Sequence, residues 1–333
     1  MPSRVTATHD ATLGARIVRS VPMRYADGAD EGLDRPAHVR AGSGLACVGG
    51  RLVVIQDDAN FLALVDPRTG RAAAVPLPMG HGQRRLFDEG RGNKHHKLDL
   101  EACLVVPADT GDLLVAFGSG SSRRREQVAV VRGLPDGAPE VTLHDASGVY
   151  AELRAAGDFA GSEMNVEGAV LVDGRVRLFQ RGNGAPVGEM LPVSATCELD
   201  WAALHAHLRV PAAVPPPRLA AIVQYELGTL GGLPLGFTDA TLADGALLFS
   251  ASAESSPDVT RDGEVAGSVL GVLEEDRARW TLLRDESGVP FAGKVEGVLV
   301  DGERPQRAYV VVDPDDADVP SVLCEVELTG RWR

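Results

Sequence analysis

The densest group of ionisable side chains in this 333-residue chain is one short stretch, Asn93 to Ala102 (NKHHKLDLEA), directly before the apolar run 103–106. Histidine titrates near neutral pH and serves as a general acid or base, and a lysine ammonium stabilises developing negative charge. Carboxylates prefer hard cations such as Ca²⁺ and Mg²⁺. The stretch therefore predicts a reactive or ligand-binding site, with His95, His96 and Lys97 as candidate catalytic residues.

The same order of residues, a polar segment that ends in an acid and continues into an apolar run, recurs at 165–170 and 294–299. The chain contains 33 basic residues but only three lysines, Lys94, Lys97 and Lys294, and all three lie in these segments. A compact ammonium can perform chemistry that a guanidinium cannot. Lys294 is therefore a fourth candidate catalytic residue, and Lys94 is a candidate substrate-binding residue.

Short strands joined by tight turns must position these segments. Asp-Gly or Gly-Gly between two apolar runs is a strong hairpin signal, and it occurs at 49–50, 173–174, 244–245 and 301–302. The hairpins open longer copies that start near residues 43, 101, 167, 238 and 296. Repeated hairpin-led sheets are typical of β-propellers.

We therefore predict an all-β fold, a single β-propeller domain over residues 1–333 with five blades. A sixth blade between residues 184 and 236 is the alternative. The last copy supplies three strands, so an N-terminal strand at about 12–23 is predicted to complete the last blade and close the ring.

Strand direction brings the polar segments together. In a propeller blade the first strand starts, and the second strand ends, at the same face, so the acids and the residues after the second strands should share one channel mouth. The predicted metal ligands, for Ca²⁺ or Mg²⁺, are Glu101, Glu167, Asp239, Glu296 and Asn165. The further predicted substrate-binding residues are Arg181, Asn183, Gln56, Asp57, Ser119 and Glu254.

Alternatives without chemistry stay open for these residues. Interleaved lysine and arginine can neutralise the same acids as an ion-pair ring. An acid at the start of an inner strand can instead bond backbone N–H groups of the neighbouring blade. His95 and His96 are either surface loop residues or contacts for a proton or an anion, and the run 123–125 (RRR) is either an anion site or a solvated loop.

Composition excludes several classes of protein. The net charge of −14 argues against a nucleic-acid partner, which requires a basic face. The sequence has no apolar stretch of membrane-spanning length and no apolar segment typical of a signal peptide, which predicts a cytoplasmic protein without a membrane partner. The four cysteines are widely separated, so neither a disulfide framework nor a zinc site is predicted.

The segments 98–102 (LDLEA), 165–168 (NVEG) and 294–297 (KVEG) carry a resemblance to a known family. With them, the chain resembles the phytase-like group of β-propellers, and more closely a bacterial propeller family of unknown activity in that neighbourhood. The resemblance implies Ca²⁺-dependent hydrolysis of phosphate or other esters. It implies metal-binding roles for Glu101, Glu167 and Glu296, and anion-binding roles for the three lysines. The alternative function is a non-catalytic propeller that binds a small ligand or a protein.

Overall fold

The computed structural model describes residues 2–109, 111–255, 263 and 265–332 of the chain. Within this part the chain is all-β with three short α-helices, which confirms the predicted fold class. None of the helices in the described ranges has both the length and the apolar composition needed to cross a membrane. Most strands belong to five consecutive units, each of which begins with a strand that follows a polar segment.

The N-terminal strands are β1 (Ser3–His9), β2 (Gly14–Pro22) and β3 (Arg24–Tyr25). Unit 1 consists of β4 (Gly42–Val48), β5 (Arg51–Gln56), β6 (Phe61–Val65) and β7 (Arg71–Pro76). Unit 2 consists of β8 (Leu100–Val106), β9 (Leu113–Gly118), β10 (Gln127–Arg132) and β11 (Glu140–Asp145). Unit 3 consists of β12 (Val166–Val172), β13 (Arg175–Gln180), β14 (Ser194–Asp200) and β15 (Ala220–Glu226).

A two-residue strand, β16 (Thr229–Leu230), precedes unit 4, which consists of β17 (Leu233–Ala243), β18 (Ala246–Glu254), β19 (Val265–Leu273) and β20 (Ala278–Arg284). Unit 5 consists of β21 (Val295–Val300), β22 (Arg307–Val312) and β23 (Val322–Thr329). The α-helices are α1 (Ser147–Ala155), α2 (Gly157–Ala160) and α3 (Trp201–Arg209). Short 3₁₀ helices span Glu31–Leu33, His81–Gln83, Lys94–His96 and Arg123–Arg125.

Tight turns join the first two strands of units 3 and 4 at the positions that the sequence indicates. Asp173 and Gly174 have φ angles of 48° and 76°, and Asp244 and Gly245 have φ angles of 48° and 79°. Two successive positive φ values are typical of a type I′ turn, whose twist matches that of the flanking strands. Asp and Gly adopt this backbone conformation more readily than other residues, which is why the dipeptide marks the turn.

The first strands of the five units contact one another in a cycle: β4 packs against β8, β8 against β12, β12 against β17, β17 against β21, and β21 against β4. Five of the hydrophobic clusters follow the same order, one between each pair of neighbouring units. Phe117 and Phe159 are buried between units 2 and 3, and Phe237 and Phe249 between units 3 and 4. Burial of apolar surface between units therefore holds them around a common centre.

The N-terminal strands run along the outer strands of four units, and the shortest of them, β3, pairs in parallel with β7 of unit 1. β2 lies within the predicted strand 12–23 and pairs antiparallel with β23, from Gly14 opposite Thr329 to Pro22 opposite Val322. β1, which the sequence analysis does not identify, pairs in parallel with β15 and with the start of β20. The N-terminal segment thus pairs with strand edges of units 1, 3, 4 and 5 that would otherwise be open.

Each of the five first strands leaves one residue unpaired against the second strand, near the start of the strand in four units and in the middle of β17 in unit 4. The unpaired residues are Ser43, Glu101, Glu167, Thr238 and Glu296. A bulge of this kind re-aims the side chain that it carries. The acid of unit 4, Asp239, follows its unpaired residue by one position, so it is not equivalent to the three glutamates.

Candidate functional site

Polar side chains at the bulges and at the ends of the second strands gather in two clusters of ion pairs. The Lys97 cluster consists of Asp57, Lys97, Asp99, Glu101, Ser119 and Arg125. The Arg181 cluster consists of Asn165, Glu167, Arg181, Glu254, Lys294 and Glu296. Each cluster combines three acids with two basic residues.

In the Lys97 cluster, a buried ammonium joins unit 1 to unit 2. Lys97 Nζ pairs with Asp57, which directly follows β5, and lies 2.6 Å from Asp99 Oδ1. Asp99 Oδ2 lies 2.9 Å from Arg125 Nη1 and accepts a hydrogen bond from the Ser119 hydroxyl. Both basic residues of the cluster therefore contact the same acid, Asp99.

Glu101 has no hydrogen bond or ion pair with any other residue that the structure describes, and its side chain is partly accessible. Burial raises the pKa of Glu101 well above its usual range, and repulsion from Asp57, Glu167 and Asp99 raises it further. Burial also raises the pKa of Asp57 to about 7, with Lys97 opposing the shift and Asp99 adding to it. Although burial opposes ionisation of Asp99, Lys97 and Arg125 hold its pKa below the usual range.

Asp57, Asp99 and Glu101 each place a carboxylate oxygen within 4.8 Å of the other two. Like charges this close raise one another's pKa unless a cation compensates for them. In the part of the chain that the structure describes, this triad is the group of acids, histidines or cysteines that has the spacing of a metal site. Of the predicted metal ligands, only Glu101 belongs to it.

The Arg181 cluster closes on itself across units 3, 4 and 5. Arg181 Nη1 lies 3.2 Å from Glu167 Oε1, and Arg181 Nη2 pairs with Glu254. Lys294 Nζ lies 2.8 Å from Glu296 Oε1 and 3.5 Å from Glu254 Oε2. Each acid of this cluster therefore has a basic partner, as in the ion-pair ring that the sequence analysis kept open.

Burial nevertheless raises the pKa values of two acids in the Arg181 cluster, Glu296 and Glu167. Burial raises the pKa of Glu296 to about 8; the Lys294 ammonium opposes this shift and Glu167 adds to it. Burial likewise raises the pKa of Glu167, while Arg181 and Lys294 lower it. Asn165 Nδ2 donates to Glu167 Oε1 at 2.6 Å and lies 3.4 Å from Asn183 Oδ1, so both predicted asparagines lie at this cluster.

Asp239 belongs to neither cluster. Its Oδ2 accepts a hydrogen bond from the backbone N–H of Val298 at 2.8 Å, and its Oδ1 accepts one from Ala240 N–H at 2.7 Å. The first bond joins β17 to β21 of the next unit. The one-residue offset from the bulge explains why Asp239 binds backbone amides, the role without chemistry that the sequence analysis also considered.

Besides the buried Arg181 and Glu254, two further predicted substrate-binding residues lie in the interior. Gln56 is buried, and its amide bonds the backbone of Arg40 and Phe61 and the hydroxyl of Tyr25. Ser119 is fully buried against Asp99. The structure therefore gives both side chains packing and hydrogen-bonding partners within the protein.

Lys94, His95 and His96 form the 3₁₀ helix that precedes the Lys97 cluster. Lys94 Nζ lies 3.7 Å from a carboxylate oxygen of Glu89, which is exposed. Neither histidine contacts an acid among the residues that the structure describes. The structure thus places the two histidines at the surface, outside both clusters.

The sequence analysis missed Asp99 and Arg125. Asp99 lies in the opening stretch, but its backbone adopts a φ of 58°, which no sequence pattern indicated. Arg125 is 7% exposed, whereas Arg123 and Arg124 are exposed, so one member of the basic run is buried. Its position next to the buried strand β10 was the available signal.

A cavity of about 590 Å³ adjoins the Lys97 cluster. Asp57 and Lys97 line it, together with further acids that include Asp58, Asp88 and Asp313. Acidic residues outnumber basic ones along its wall. Such a lining concentrates cations and favours a positively charged ligand or one bridged by a metal ion.

Comparison with protein families identifies one match, over residues 38–328, to a family described as a family of unknown function, DUF6929. The chain belongs to this family. Comparison with curated proteins finds no match. The resemblance to phytase-like propellers stays a prediction.

Comparison with solved structures finds distant likenesses. The chain is 11% identical to the Myxococcus xanthus glutaminyl cyclase, with a TM-score of 0.48 over 99% of this chain and 100% of that one. It is 11% identical to a GH43 β-1,3-galactosidase in complex with galactodeoxynojirimycin, with a TM-score of 0.48 over 91% of this chain and 92% of that one. It is 12% identical to a thermostable family-43 glycoside hydrolase, with a TM-score of 0.36 over 86% and 88% of the two chains.

Proposed function

We propose that the chain is a single five-bladed β-propeller, closed by β2, whose Lys97 cluster holds a divalent cation and hydrolyses an ester bound in the adjoining cavity. The cyclic contacts of the five first strands, with a hydrophobic cluster between each pair of neighbouring units, support the five blades. The pairing of β2 with β23 supports the closure.

The observation that carries the cation site is Glu101, a carboxylate without a partner among the described residues, next to Asp57 and Asp99. Three carboxylates within 4.8 Å form an oxygen-only set, which suits Ca²⁺ or Mg²⁺. Burial first, and then repulsion from neighbouring acids, raises the pKa values of both Asp57 and Glu101. A bound cation would oppose both effects, because it favours the ionised carboxylates.

In this proposal Asp57, Asp99 and Glu101 would hold the cation, and Lys97 would bind the substrate. A bound Ca²⁺ or Mg²⁺ supplies polarisation of an ester oxygen and activation of water. Lys97 lines the cavity and pairs with two of the three acids, so a cation that neutralises them frees its ammonium. The freed ammonium would stabilise negative charge that develops on the substrate.

Four other residues were predicted to act on the substrate: Lys294, Arg181, His95 and His96. Lys294 and Arg181 each contact two acids, which supports a structural role for them. Proton transfer by His95 or His96 stays a prediction. None of these four residues lines the cavity of about 590 Å³, whereas Lys94 and Lys97 do.

The second candidate function is a binding propeller without catalysis. The specific observation that favours it is the position of Lys97, whose ammonium already pairs with Asp57 and Asp99. Because the Lys97 ammonium can neutralise these acids without a metal ion, the Lys97 cluster can be a second ion-pair bridge between units. The cavity would then bind a cationic ligand directly.

Calorimetry and thermal unfolding with Ca²⁺, Mg²⁺ and EDTA distinguish the two functions. We expect Ca²⁺ to raise Tm and to release protons at pH 7, because cation binding competes with protonation of Asp57 and Glu101. Glu101→Gln should weaken Ca²⁺ binding by about tenfold or more, since it removes one charged ligand. Glu303→Gln, the same change at an exposed residue, is the matched control.

The absence of any Ca²⁺ or Mg²⁺ effect on Tm, or equal binding by the Glu101→Gln and Glu303→Gln variants, would contradict the cation site. If a cation binds but neither phosphate esters nor carboxylate esters are hydrolysed, the cation site is retained and the catalytic role is contradicted.

A further inference from the structure

Another group of titratable side chains, three histidines and one arginine, lies outside both clusters. The rings of His81 and His96 stack with centroids 3.6 Å apart and an interplanar angle of 11°, and the ring of His95 lies 4.0 Å from that of His96. Arg124 Nη1 donates to Nδ1 of His96. We refer to His81, His95, His96 and Arg124 as the histidine stack.

The histidine stack is assembled from three separate segments of the chain. His81 comes from the 3₁₀ helix after β7, His95 and His96 from the one before β8, and Arg124 from the one before β10. His81, His95 and Arg124 are exposed, and His96 is half-buried. Long-range folding therefore places four nitrogen-rich planar groups side by side on an accessible surface.

No acid among the described residues pairs with any member of the histidine stack. This is unusual in a chain with a net charge of −14, in which acids are abundant. Neighbouring basic residues do have acidic partners: Arg84 and Arg91 pair with Asp34, and Lys94 with Glu89. The stack thus presents N–H donors and potential positive charge without a counter-ion from the described part of the protein.

The hydrogen bond from Arg124 fixes the protonation state of His96. A guanidinium only donates, so Nδ1 of His96 must carry a lone pair, and the ring must be neutral. Partial burial lowers the pKa of His96, and the charged forms of His81, His95 and Arg124, the groups that face it, lower it further. A ligand that supplies negative charge here would offset the repulsion between these positively charged groups.

We propose that the histidine stack is a binding site for an oxyanion that carries two or more negative charges, separate from the cation site. Arg124 supplies a planar guanidinium that matches oxyanion geometry, and the neutral ring of His96 supplies its Nε2 N–H donor. His81 and His95 supply N–H donors that gain charge when the anion binds. A multiply charged oxyanion fits better than a monoanion, because it can compensate for two imidazolium groups together with Arg124.

Proton linkage is the distinguishing property of this site. A bound anion favours imidazolium, so binding should take up protons and should strengthen as pH falls from 8 to 6. Proton linkage at the cation site has the opposite sign, because the acids of that site release protons when a cation binds. The two proposals can therefore fail independently.

The test is titration calorimetry of the full chain with inorganic sulfate, which stays a dianion throughout this pH range, at constant ionic strength, with EDTA present, at pH 6, 7 and 8. Measurements in two buffers of different ionisation enthalpy give the number of protons taken up. We expect sulfate to bind, acetate to bind at least about tenfold more weakly, and Arg124→Gln and the double variant His81→Gln/His96→Gln to weaken sulfate binding by about tenfold. Arg51→Gln, which also removes a positive charge at an exposed residue, is the matched control.

Proton uptake by the unmodified protein keeps the test decisive even if a variant folds poorly. Sulfate binding that is absent at pH 6, that takes up no protons, or that Arg51→Gln weakens as much as Arg124→Gln would overturn the proposal.

Discussion

The Lys97 cluster and the Arg181 cluster contain the same kinds of groups but distribute their contacts differently. Each has three acids and two basic residues. In the Arg181 cluster both basic residues reach two acids, so every acid is paired. In the Lys97 cluster both basic residues contact Asp99, and Glu101 has no partner among the described residues. The number of charges is equal, so the arrangement of the pairs decides which cluster can accept a ligand.

The geometry of the basic side chains explains this difference. The planar guanidinium of Arg181 has donors at fixed angles and reaches acids of units 3 and 4 at once. Lys97 is a point charge on a flexible stem and lies between Asp57 and Asp99. Arg125, the second basic residue there, contacts Asp99 and the Ser121 hydroxyl. The Arg181 cluster therefore has the geometry of a structural bridge, whereas the Lys97 cluster contains one acid, Glu101, without an ion-pair partner among the described residues.

The largest expected effect is on stability, from Arg181→Met. Removal of the guanidinium leaves Glu167 and Glu254 without it in a buried site, which should lower the free energy of unfolding by about 3–5 kcal/mol at pH 8. The exposed pair of Arg16 and Glu327 provides the control, since Arg16→Met should cost less than about 1 kcal/mol. Urea unfolding measures both. Equal losses in the two variants would remove the distinction between the clusters.

A smaller effect separates two glutamates at equivalent bulges. Glu167→Gln weakens a charge-assisted contact with Arg181 and should cost about 1.5–3 kcal/mol. Glu101→Gln replaces an acid without a described partner and should leave stability unchanged or raise it by about 1 kcal/mol. Urea unfolding of both variants at pH 8, without divalent cations, measures this difference. A larger loss for Glu101→Gln than for Glu167→Gln would show that the two clusters have been assigned the wrong way round.

A further prediction concerns the pH dependence of stability. The pKa values of Asp57 and Glu296 are raised in the folded protein to about 7 and about 8, so the folded state binds more protons than the unfolded state. This contribution is fully present below about pH 4 and is lost as pH rises through 7 and 8. Thermal unfolding between pH 5 and 9 should therefore show a decreasing Tm. A Tm that increases over this range would contradict the raised pKa values.

Local sequence patterns located much of the fold and part of the site. The Asp173-Gly174 and Asp244-Gly245 turns could be predicted because their backbone conformation depends on the dipeptide itself. Glu101, Glu167 and Glu296 could be located because each follows a polar segment and precedes an apolar strand. Asp239 satisfied the same local pattern, but an offset of one residue in the strand register gave it backbone partners.

By itself, the sequence determined that the chain is all-β, that hairpins repeat along it, and that acids, lysines and histidines start or follow its strands. Those properties depend on turn residues and on alternation of apolar side chains, which act over a few residues. Only the tertiary structure decided which charges pair. Lys97 meets Asp57 across 40 residues, and Arg181 meets Glu254 across 73. Such contacts depend on strand register and on the order of the units around the centre, and no local spacing determines either.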